Sequence, residues 1–301
     1  MKNNIIAEIE SLRKEKNAII LAHNYQPADI QNIADYAGDS FELARYAKNT
    51  DAEIIVFCGV YFMAESAYIL SPEKTVLLPE IHAGCGLADM VDESSLQEFK
   101  KKHSAPVVTY INSPAAAKAV SDFACTSANC LRIVEKIDSD TVIVGPDKNL
   151  AGFIQKNTRK TIIAWPGYCY VHNDLSKKDV QAVKQSYPHA PVLAHPECTG
   201  EVLEISDHVF STSGMIEFAR NYSGTELIIC TEKGILTPLK KANERINYIF
   251  PGQGLICSSM KLITLKKLRD SLKYDRYRVT VPEDIRKKAL ISLERMLEYG
   301  K

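Results

Sequence analysis

The 301-residue chain repeats one pattern three times, and this repeat restricts its possible folds more than any other feature. The phrase IADYAGDS begins at Ile33, VSDFACTS follows 87 residues later at Val120, and ISDHVFST follows after a further 85 residues at Ile205. The same two offsets relate the segments AIILAHNY, APVVTYIN and APVLAHPE. Because self-similarity at a nearly fixed period indicates repeated structural units, we expect three copies of one small fold.

Each copy contains three short apolar runs that are rich in β-branched residues. In the first copy, the first run begins at Ala18, the second ends at Cys58 and the third leads to Pro79. Such runs are typical of strands buried on both faces of a parallel sheet, and helical patterns lie between them. We therefore predict an α/β protein with three pseudo-threefold-related α/β/α units, each with a small parallel sheet. The helices that precede the first strands are expected near residues 3–16, 92–103 and 177–187.

The repeat also predicts the domain organisation. The first unit is expected at residues 1–85, the second at 86–172 and the third at 173–257. Residues 258–301 contain a further helical pattern, and Pro282 followed by acidic residues marks a helix start. We expect these C-terminal helices to pack back on the first unit. No low-complexity segment separates the units, so they are expected to pack as one body.

Composition and charge exclude several classes of protein. Lys plus Arg and Asp plus Glu both number 37, so no net field attracts nucleic acid or an acidic membrane surface. The first 16 residues predict an amphipathic helix and not a secretory signal. The longest apolar run, which begins at Ile54, is too short to span a membrane. We expect a cytoplasmic protein with reduced thiols, without a nucleic-acid or membrane partner.

Polar side chains follow the first predicted strand of every copy. Each copy has a pair spaced i and i+2, which places both members on one face of an extended segment. A hydroxyl residue follows where the next helical pattern starts. A single hydroxyl there would be a helix N-cap, but its recurrence beside these pairs favours a ligand site at the carboxyl ends of the strands. The candidates are His23, Tyr25 and Ser40 in the first copy, Tyr110, Asn112 and Ser127 in the second, and His195, Glu197 and Thr212 in the third.

The loop after the last predicted strand of each copy contains one cysteine, namely Cys85, Cys169 or Cys257. The absence of a CxxC spacing argues against a zinc ribbon and a four-cysteine iron–sulfur run. Three thiolates around a threefold axis match three equivalent irons of a cubane [4Fe–4S] cluster. The fourth iron would then be open to substrate as a Lewis acid. Three unconnected buried cysteines, or a zinc site of three cysteines and one histidine, remain alternatives at this point.

Eight motifs between residues 21 and 261 closely resemble those of the quinolinate synthase (NadA) family. They are LAHNYQ, GDSFELA, YINS, CTSAN, PGYCYVH, HPEC, TSGM and PGQGLICSSMK. The resemblance implies three α/β domains around an oxygen-sensitive [4Fe–4S] cluster held by Cys85, Cys169 and Cys257, with one open iron. It also implies condensation of iminoaspartate with dihydroxyacetone phosphate to quinolinate, phosphate and water, in de novo NAD biosynthesis. Iminoaspartate is made by aspartate oxidation, so functional coupling to an aspartate-oxidising enzyme is expected.

The resemblance also implies which residues surround the substrate, and the chemistry of the reaction suggests roles for some of them. The reaction requires proton transfers, for which we predict Glu197 as the base and Tyr25 as a proton relay, with His195 and His172 as further catalytic residues. Another [4Fe–4S] hydro-lyase, acting on a small hydroxy acid, and a cluster-based sensor are the alternatives. The residues expected around the substrate are His23, Ser40, Tyr110, Asn112, Ser127, His195, Glu197 and Thr212.

The repeat and the resemblance disagree about one metal ligand. Moving 87 residues on from Cys85 leads to His172, and 85 more lead to Cys257, whereas Cys169 comes three residues too early. Imidazole can ligate the iron of such clusters. In the first and third loops the cysteine comes six positions after the proline, whereas in the second loop it comes three positions after. We predict Cys169 as the ligand and His172 as a neighbouring or substrate contact.

Overall fold

The computed structural model describes residues 2–300. Met1 and Lys301, the outermost residues of the predicted segments 1–85 and 258–301, lie outside the described residues. The described chain forms three four-stranded sheets, and every strand pair within them is parallel. The prediction of an α/β fold with three units, each with a small parallel sheet, is confirmed.

The three sheets share one strand order, in which the first strand of the unit lies between the second and the third. The first sheet contains β1 (Ala18–His23), β2 (Tyr36–Gly38), β3 (Ile54–Cys58) and β4 (Thr75–Leu77), in the order β2-β1-β3-β4. The second contains β5 (Val107–Tyr110), β6 (Phe123–Cys125), β7 (Thr141–Gly145) and β8 (Thr161–Ala164), in the order β6-β5-β7-β8. The third contains β9 (Val192–Ala194), β10 (His208–Val209), β11 (Glu226–Cys230) and β12 (Asn247–Ile249), in the order β10-β9-β11-β12.

The helices lie between the strands and after the last sheet. In the first unit they are α1 (Lys2–Glu15), α2 (Ala28–Ile33), α3 (Ser40–Asn49) and α4 (Tyr61–Leu70). In the second they are α5 (Glu93–His103), α6 (Ala115–Ala119), α7 (Cys130–Lys136) and α8 (Lys148–Asn157). The remaining helices are α9 (Tyr170–Asn173), α10 (Lys177–Ser186), α11 (Gly200–Glu204), α12 (Thr212–Asn221), α13 (Leu236–Ala242), α14 (Leu265–Tyr274) and α15 (Glu283–Tyr299). The three predicted helices that precede the first strands are thus confirmed as α1, α5 and α10.

One strand in each sheet was not predicted. The strands β2, β6 and β10 have only two or three residues each and lie inside the repeated phrase. Each carries a polar or half-exposed residue instead of a buried apolar run, so the apolar pattern did not reveal it. The structure therefore has four strands in each unit where the sequence predicted three.

The repeated phrase owes its recurrence to an aspartate that holds these edge strands in place. The carboxylate of Asp35 accepts a hydrogen bond of 2.8 Å from the backbone N–H of Ile20 in β1. Asp122 and Asp207 make the same contact, each at 2.7 Å, with the first strand of their own sheets. A hydrogen bond to a charged acceptor contributes roughly 1.5–3 kcal/mol before solvent weakens it. The third residue of the phrase is thus a structural residue in all three copies.

The C-terminal helices join the first two units. Helix α14 packs against α1, whereas α15 lies against α6 and β6 of the second unit and also contacts α4 of the first. Leu293 and Met296 of α15 are fully buried, and each such side chain stabilises the fold by roughly 1.5–3 kcal/mol. As a result, the first two units share one continuous apolar core. No helix within residues 2–300 is long and apolar enough to cross a membrane.

Candidate active site

One cavity lies where the carboxyl ends of the three sheets meet. Strands β1, β5 and β9 end at this cavity, and the three cysteine-containing loops form another part of its wall. Every residue predicted for the site lies in the wall of this cavity, although the residues are spread over more than 230 positions of the chain. They are His23, Tyr25, Ser40, Cys85, Tyr110, Asn112, Ser127, Cys169, His172, His195, Glu197, Thr212 and Cys257.

The three cysteine loops are attached to their sheets in the same way. In every unit, a backbone N–H shortly after β3, β7 or β11 donates to the carbonyl oxygen two residues before the cysteine. Because this backbone contact recurs, Cys85, Cys169 and Cys257 occupy equivalent positions even though the second loop is three residues shorter. The contacts are Tyr61 to Ala83 at 2.8 Å, Lys148 to Gly167 at 2.8 Å, and Lys233 to Leu255 at 2.9 Å.

A short helical turn follows each cysteine. Cys169 is the N-cap of α9, and single 3₁₀ turns, Ala88–Met90 and Ser259–Leu262, follow Cys85 and Cys257. The backbone N–H three residues after each cysteine lowers the pKa of that thiol, although burial outweighs this effect. The N–H groups are those of Ala88 for Cys85, His172 for Cys169 and Met260 for Cys257.

Burial opposes ionisation of the three cysteine thiols. Burial raises the pKa of Cys85 to about 12 and also raises the pKa values of Cys169 and Cys257. The protein alone therefore keeps the thiols protonated at neutral pH, whereas a coordinated metal removes the proton. Three thiols on one cavity, one from each unit, form a donor set that fits a thiophilic metal centre.

A histidine and a carboxylate lie beside one of these thiols. Ligand atoms of Cys169, His172 and Glu197 all lie within 4.8 Å of one another. The His172 Nδ1 atom is 3.2 Å from the sulfur of Cys169 and 2.8 Å from Oε2 of Glu197. His172 and Glu197 are both buried. His172 and Glu197, two of the four predicted catalytic residues, therefore contact each other beside Cys169.

A chain of hydrogen bonds connects four side chains in the wall. The Tyr25 hydroxyl is 2.6 Å from Oγ1 of Thr231, and this oxygen is 2.8 Å from Nε2 of His172. The chain then reaches Glu197 through Nδ1 of His172. Burial raises the pKa of Tyr25 well above its usual range, so its phenol keeps its proton. The arrangement can pass a proton between Tyr25 and Glu197.

The charge state of Glu197 depends on its neighbours. Burial alone opposes ionisation, but His172 at 2.8 Å, His195 at 3.9 Å and the hydroxyl of Tyr110 hold the pKa of Glu197 below its usual range. Burial lowers the pKa of His195 to about 3 and raises that of Tyr110 well above its ordinary value. At neutral pH, Glu197 is therefore a carboxylate between a neutral imidazole and a phenol that can donate a proton.

The predicted hydroxyl residues do not act as the N-caps of helices. Ser40 and Thr212 are the first residues of α3 and α12, and the caps are their predecessors Asp39 and Ser211. Ser127 lies in the turn before α7, and its oxygen is 3.1 Å from Nε2 of His195. The three hydroxyls therefore remain available to face the cavity.

The unit interfaces also hold ligand-facing groups in place. The side-chain amide of Asn24 donates to Oγ1 of Thr212 at 3.0 Å, which links the first unit to the third. Nδ1 of His23 accepts the backbone N–H of Tyr25 at 3.2 Å, and burial lowers the pKa of His23 to about 3. His23 is thus neutral at pH 7 and can hydrogen-bond a ligand without adding charge.

Four residues at the site escaped the sequence prediction. Thr231 follows β11 directly, and Oγ1 of Thr126 is buried without a hydrogen-bond partner within residues 2–300. The other two are Asp147 and Glu232, buried acids that contact the cysteine loops. The 85-residue offset between these two acids was the available signal, because it places them at the same position of their units.

The chain is similar to known proteins of one family over nearly its whole length. The family model described as quinolinate synthetase A protein (NadA) matches residues 7–298. The chain is 48% identical over 299 residues to a quinolinate synthase of Desulforudis audaxviator, with 99% of each chain covered. It is 50% identical over 292 residues to the quinolinate synthase of Dehalococcoides mccartyi, with 97% of each covered, and 48% identical over 294 residues to quinolinate synthase 1 of Methanosarcina acetivorans, again with 97% of each covered. The chain therefore belongs to the quinolinate synthetase A (NadA) family.

Proposed function

We propose that this protein is a quinolinate synthase, which condenses iminoaspartate with dihydroxyacetone phosphate to quinolinate, phosphate and water. The main support is that residues from three separate sheets, all expected to face the substrate, line one cavity together with three equivalent cysteines. Iminoaspartate arises by oxidation of aspartate, so an aspartate-oxidising enzyme must supply this substrate. We propose functional coupling to an enzyme of that type.

We further propose that Cys85, Cys169 and Cys257 hold a [4Fe–4S] cluster with one iron free of protein ligands. When bound, such a cluster supplies a Lewis acid that can polarise an oxygen or nitrogen of the substrate. The equivalent backbone contacts of the three loops support Cys169 over His172 as the second ligand. The contacts of both His172 nitrogens, with Thr231 and with Glu197, support a role for this residue beside the cluster.

Substrate binding relies on neutral hydrogen-bond donors. Both substrates are anionic, yet His23 and His195 are neutral at pH 7 because burial lowers the pKa of each to about 3. The hydroxyls of Ser40 and Thr212 lie at the first residues of two ten-residue helices, where backbone N–H groups and the helix dipole also favour an anion. Asn112 and Ser127 supply further donors from the second unit.

Proton transfer is assigned to the hydrogen-bonded chain. The carboxylate of Glu197 accepts a proton from the substrate. This proton can pass to His172, whose Nδ1 atom lies 2.8 Å from Oε2 of Glu197. The phenol of Tyr25 donates a proton to an oxygen that leaves the substrate, and Thr231 connects Tyr25 with His172. General acid–base groups of this type contribute roughly 10²- to 10⁴-fold in rate.

The proposed function is tested with protein purified and reconstituted without oxygen. Iron and sulfide analysis is expected to give close to four of each per chain. Incubation with oxaloacetate, ammonia and dihydroxyacetone phosphate, of which the first two form iminoaspartate, is expected to yield quinolinate that mass spectrometry identifies. A loaded protein that makes no quinolinate but dehydrates a small hydroxy acid would instead be another [4Fe–4S] hydro-lyase. A loaded protein without any turnover would be a sensor.

A further inference from the structure

Two buried acids occupy the same position in the second and third units. Asp147 lies two residues after β7, and Glu232 lies two residues after β11, 85 residues further along the chain. Both side chains are fully buried. In the first unit the equivalent residue, 87 positions before Asp147, is Val60. The position therefore carries a carboxylate in two units and an aliphatic side chain in one.

Asp147 connects the second cysteine loop to a helix. Its Oδ2 atom accepts the backbone N–H of Cys169 at 3.0 Å. Its Oδ1 atom accepts the backbone N–H groups of Asn149 and Leu150 at 2.9 and 2.8 Å, which caps α8. One carboxylate thus ties the proposed ligand Cys169 to the start of a helix that packs on β7 and β8.

Glu232 makes the corresponding contacts in the third unit. Its Oε1 atom accepts the backbone N–H of Cys257 at 3.1 Å and lies 2.8 Å from Nζ of Lys261. Its Oε2 atom accepts the backbone N–H of Gly234 at 2.6 Å and thereby caps the short 3₁₀ turn Lys233–Ile235. The same contact to a cysteine N–H is therefore made by side chains of two different lengths.

The burial of these groups argues for a specific role. A buried carboxylate is costly unless it is fully hydrogen-bonded, and an apolar residue of similar size would avoid this cost. The first unit shows that the fold accepts an apolar residue here, because Val60 is buried at the equivalent position. The carboxylates recur only where they receive the N–H of a cysteine. Groups that orient metal ligands in this way affect metal affinity strongly.

We propose that Asp147 and Glu232 are positioning residues, which orient Cys169 and Cys257 for the metal centre. This inference rests on the proposed cluster and adds two residues to it. Cys85 lacks the contact, because the side chain of Val60 cannot accept a hydrogen bond. The place of Cys85 is therefore set by the backbone contact between Tyr61 and Ala83 and by its own helical turn.

Amide variants test this proposal. In Asp147→Asn, the single remaining side-chain oxygen can still cap α8, but the amide NH₂ group then faces the backbone N–H of Cys169. In Glu232→Gln, the NH₂ group likewise opposes an N–H donor in either orientation. Each reconstituted variant is expected to lose iron to a chelator roughly 10- to 100-fold faster than wild type. The swaps Asp147→Glu and Glu232→Asp keep the carboxylate and are expected to restore slower iron loss.

A matched control separates positioning from general stability. Asp92 caps α5 on the surface by accepting the N–H of Ser95 at 2.9 Å. Asp92→Asn is expected to lower the unfolding temperature of the apo-protein while leaving the rate of iron loss at the wild-type value. Wild-type rates of iron loss in both amide variants would overturn the proposal. So would amide variants whose apo-protein does not fold, or swaps that lose iron as fast as the amides, because each result indicates a purely structural role.

A readout on apo-protein keeps this inference separate from the proposed function. In the amide variants, the alkylation rate of the thiol next to each changed carboxylate is expected to rise, and that of Cys85 to stay at the wild-type value. Mass spectrometry measures both rates. Absence of iron and sulfide in the wild-type protein would refute the proposed cluster, whereas unchanged alkylation of Cys169 and Cys257 would refute the positioning role itself.

Discussion

The first and second cysteine loops differ in length but not in how they are attached. Cys85 comes six positions after Pro79, whereas Cys169 comes only three positions after Pro166. In both loops, the carbonyl oxygen two residues before the cysteine accepts a backbone N–H at 2.8 Å. The donor is the first residue of the helix that follows the third strand of the unit, Tyr61 of α4 or Lys148 of α8. The difference teaches that loop length can change freely as long as the hydrogen bond that places the cysteine is kept.

The shorter loop also adds a residue to the site. The three positions saved before Cys169 allow α9 to begin directly at the cavity, and this helix carries His172 against Glu197 and Thr231. Neither the first nor the third loop contains a histidine in its short turn. The second unit therefore departs from the repeat at the place where His172 joins the hydrogen-bonded chain to which we assign proton transfer. Such local irregularity is expected at functional sites.

The largest expected effect tests whether Cys169 or His172 is the metal ligand of the second loop. We expect Cys169→Ala to lose or degrade the cluster, as Cys85→Ala and Cys257→Ala should, because one iron then lacks its thiolate. His172→Ala is expected to retain the cluster and lose turnover. Iron and sulfide analysis after anaerobic reconstitution decides this, with Cys58→Ala as the control in a buried strand. The reverse pattern would make the strict repeat register correct.

The role of the second loop in proton transfer predicts the next largest effect. Glu197→Gln removes the carboxylate that His172 contacts at 2.8 Å. We expect this variant to keep the cluster and to lose turnover by roughly 10²- to 10⁴-fold, as for loss of one general base. Glu201→Gln on the exposed side of α11 is the matched control. Near-normal quinolinate formation by Glu197→Gln would remove this residue from the mechanism.

The short loop should be less tolerant of added volume than the long one. A Cβ atom at Gly167 would lie 2.6 Å from the carbonyl oxygen of Pro146, whereas one at Gly86 would meet nothing within 4 Å. Gly167→Ala is expected to lower the free energy of unfolding by about 1–3 kcal/mol, which is typical of overpacking. Gly86→Ala in the first loop should leave stability unchanged. Equal unfolding temperatures of the two variants would show that loop length does not limit packing here.

The link between the second loop and Tyr25 depends on one hydroxyl. Thr231→Val keeps the shape of the side chain but removes its contacts to Tyr25 and His172. We expect turnover to fall about tenfold, which corresponds to one hydrogen bond of about 1.4 kcal/mol. Thr231→Ser retains the hydroxyl and should stay close to wild type. Identical rates for the valine and serine variants would contradict a relay through this position.

The smallest expected effect compares equivalent positions in the first and third units. Burial lowers the pKa of His23 to about 3, whereas an unfolded histidine titrates near 6.5. As the pH falls below 6.5 the unfolded chain binds a proton that the folded chain does not, so stability decreases. For one histidine this amounts to about 0.7 kcal/mol between pH 7 and pH 6. His23→Gln should reduce the pH dependence of urea unfolding by this amount, as should His195→Gln. An unchanged pH dependence would show that His23 binds its proton as readily in the folded protein as in the unfolded chain.

Local patterns in the sequence were sufficient for the repeated fold. The buried strands β1, β3 and β11 are continuous apolar runs, and their fixed spacing identified three copies of one parallel sheet. The carboxyl ends of the strands in one parallel sheet point to one side, and the repeat relates the three sheets, so the sequence assigned His23, Tyr110 and Glu197 to a common site. The motifs then related these positions to a family, and the comparisons confirmed that relation.

Other features depended on contacts between distant parts of the chain. The edge strands are too short to produce a periodic signal, and they form because Asp35 and its two counterparts bind the neighbouring strand. Thr231 resembles any other threonine until the fold brings it between Tyr25 and His172, 206 residues and 59 residues away.

The sequence by itself determined that three α/β units surround one cysteine-lined site, because apolar periodicity and the repeat offsets are local or regular properties of the chain. The repeat offsets and the family motifs disagreed about whether Cys169 or His172 corresponds to the other two cysteines, because counting residues cannot detect a shortened loop. Only the tertiary structure shows that the loop of Cys169 is attached to its sheet like the other two loops, through the hydrogen bond from Lys148 to Gly167. Such a contact joins residues from separate elements, and its geometry exists only after the sheet, the helix and the loop have packed together.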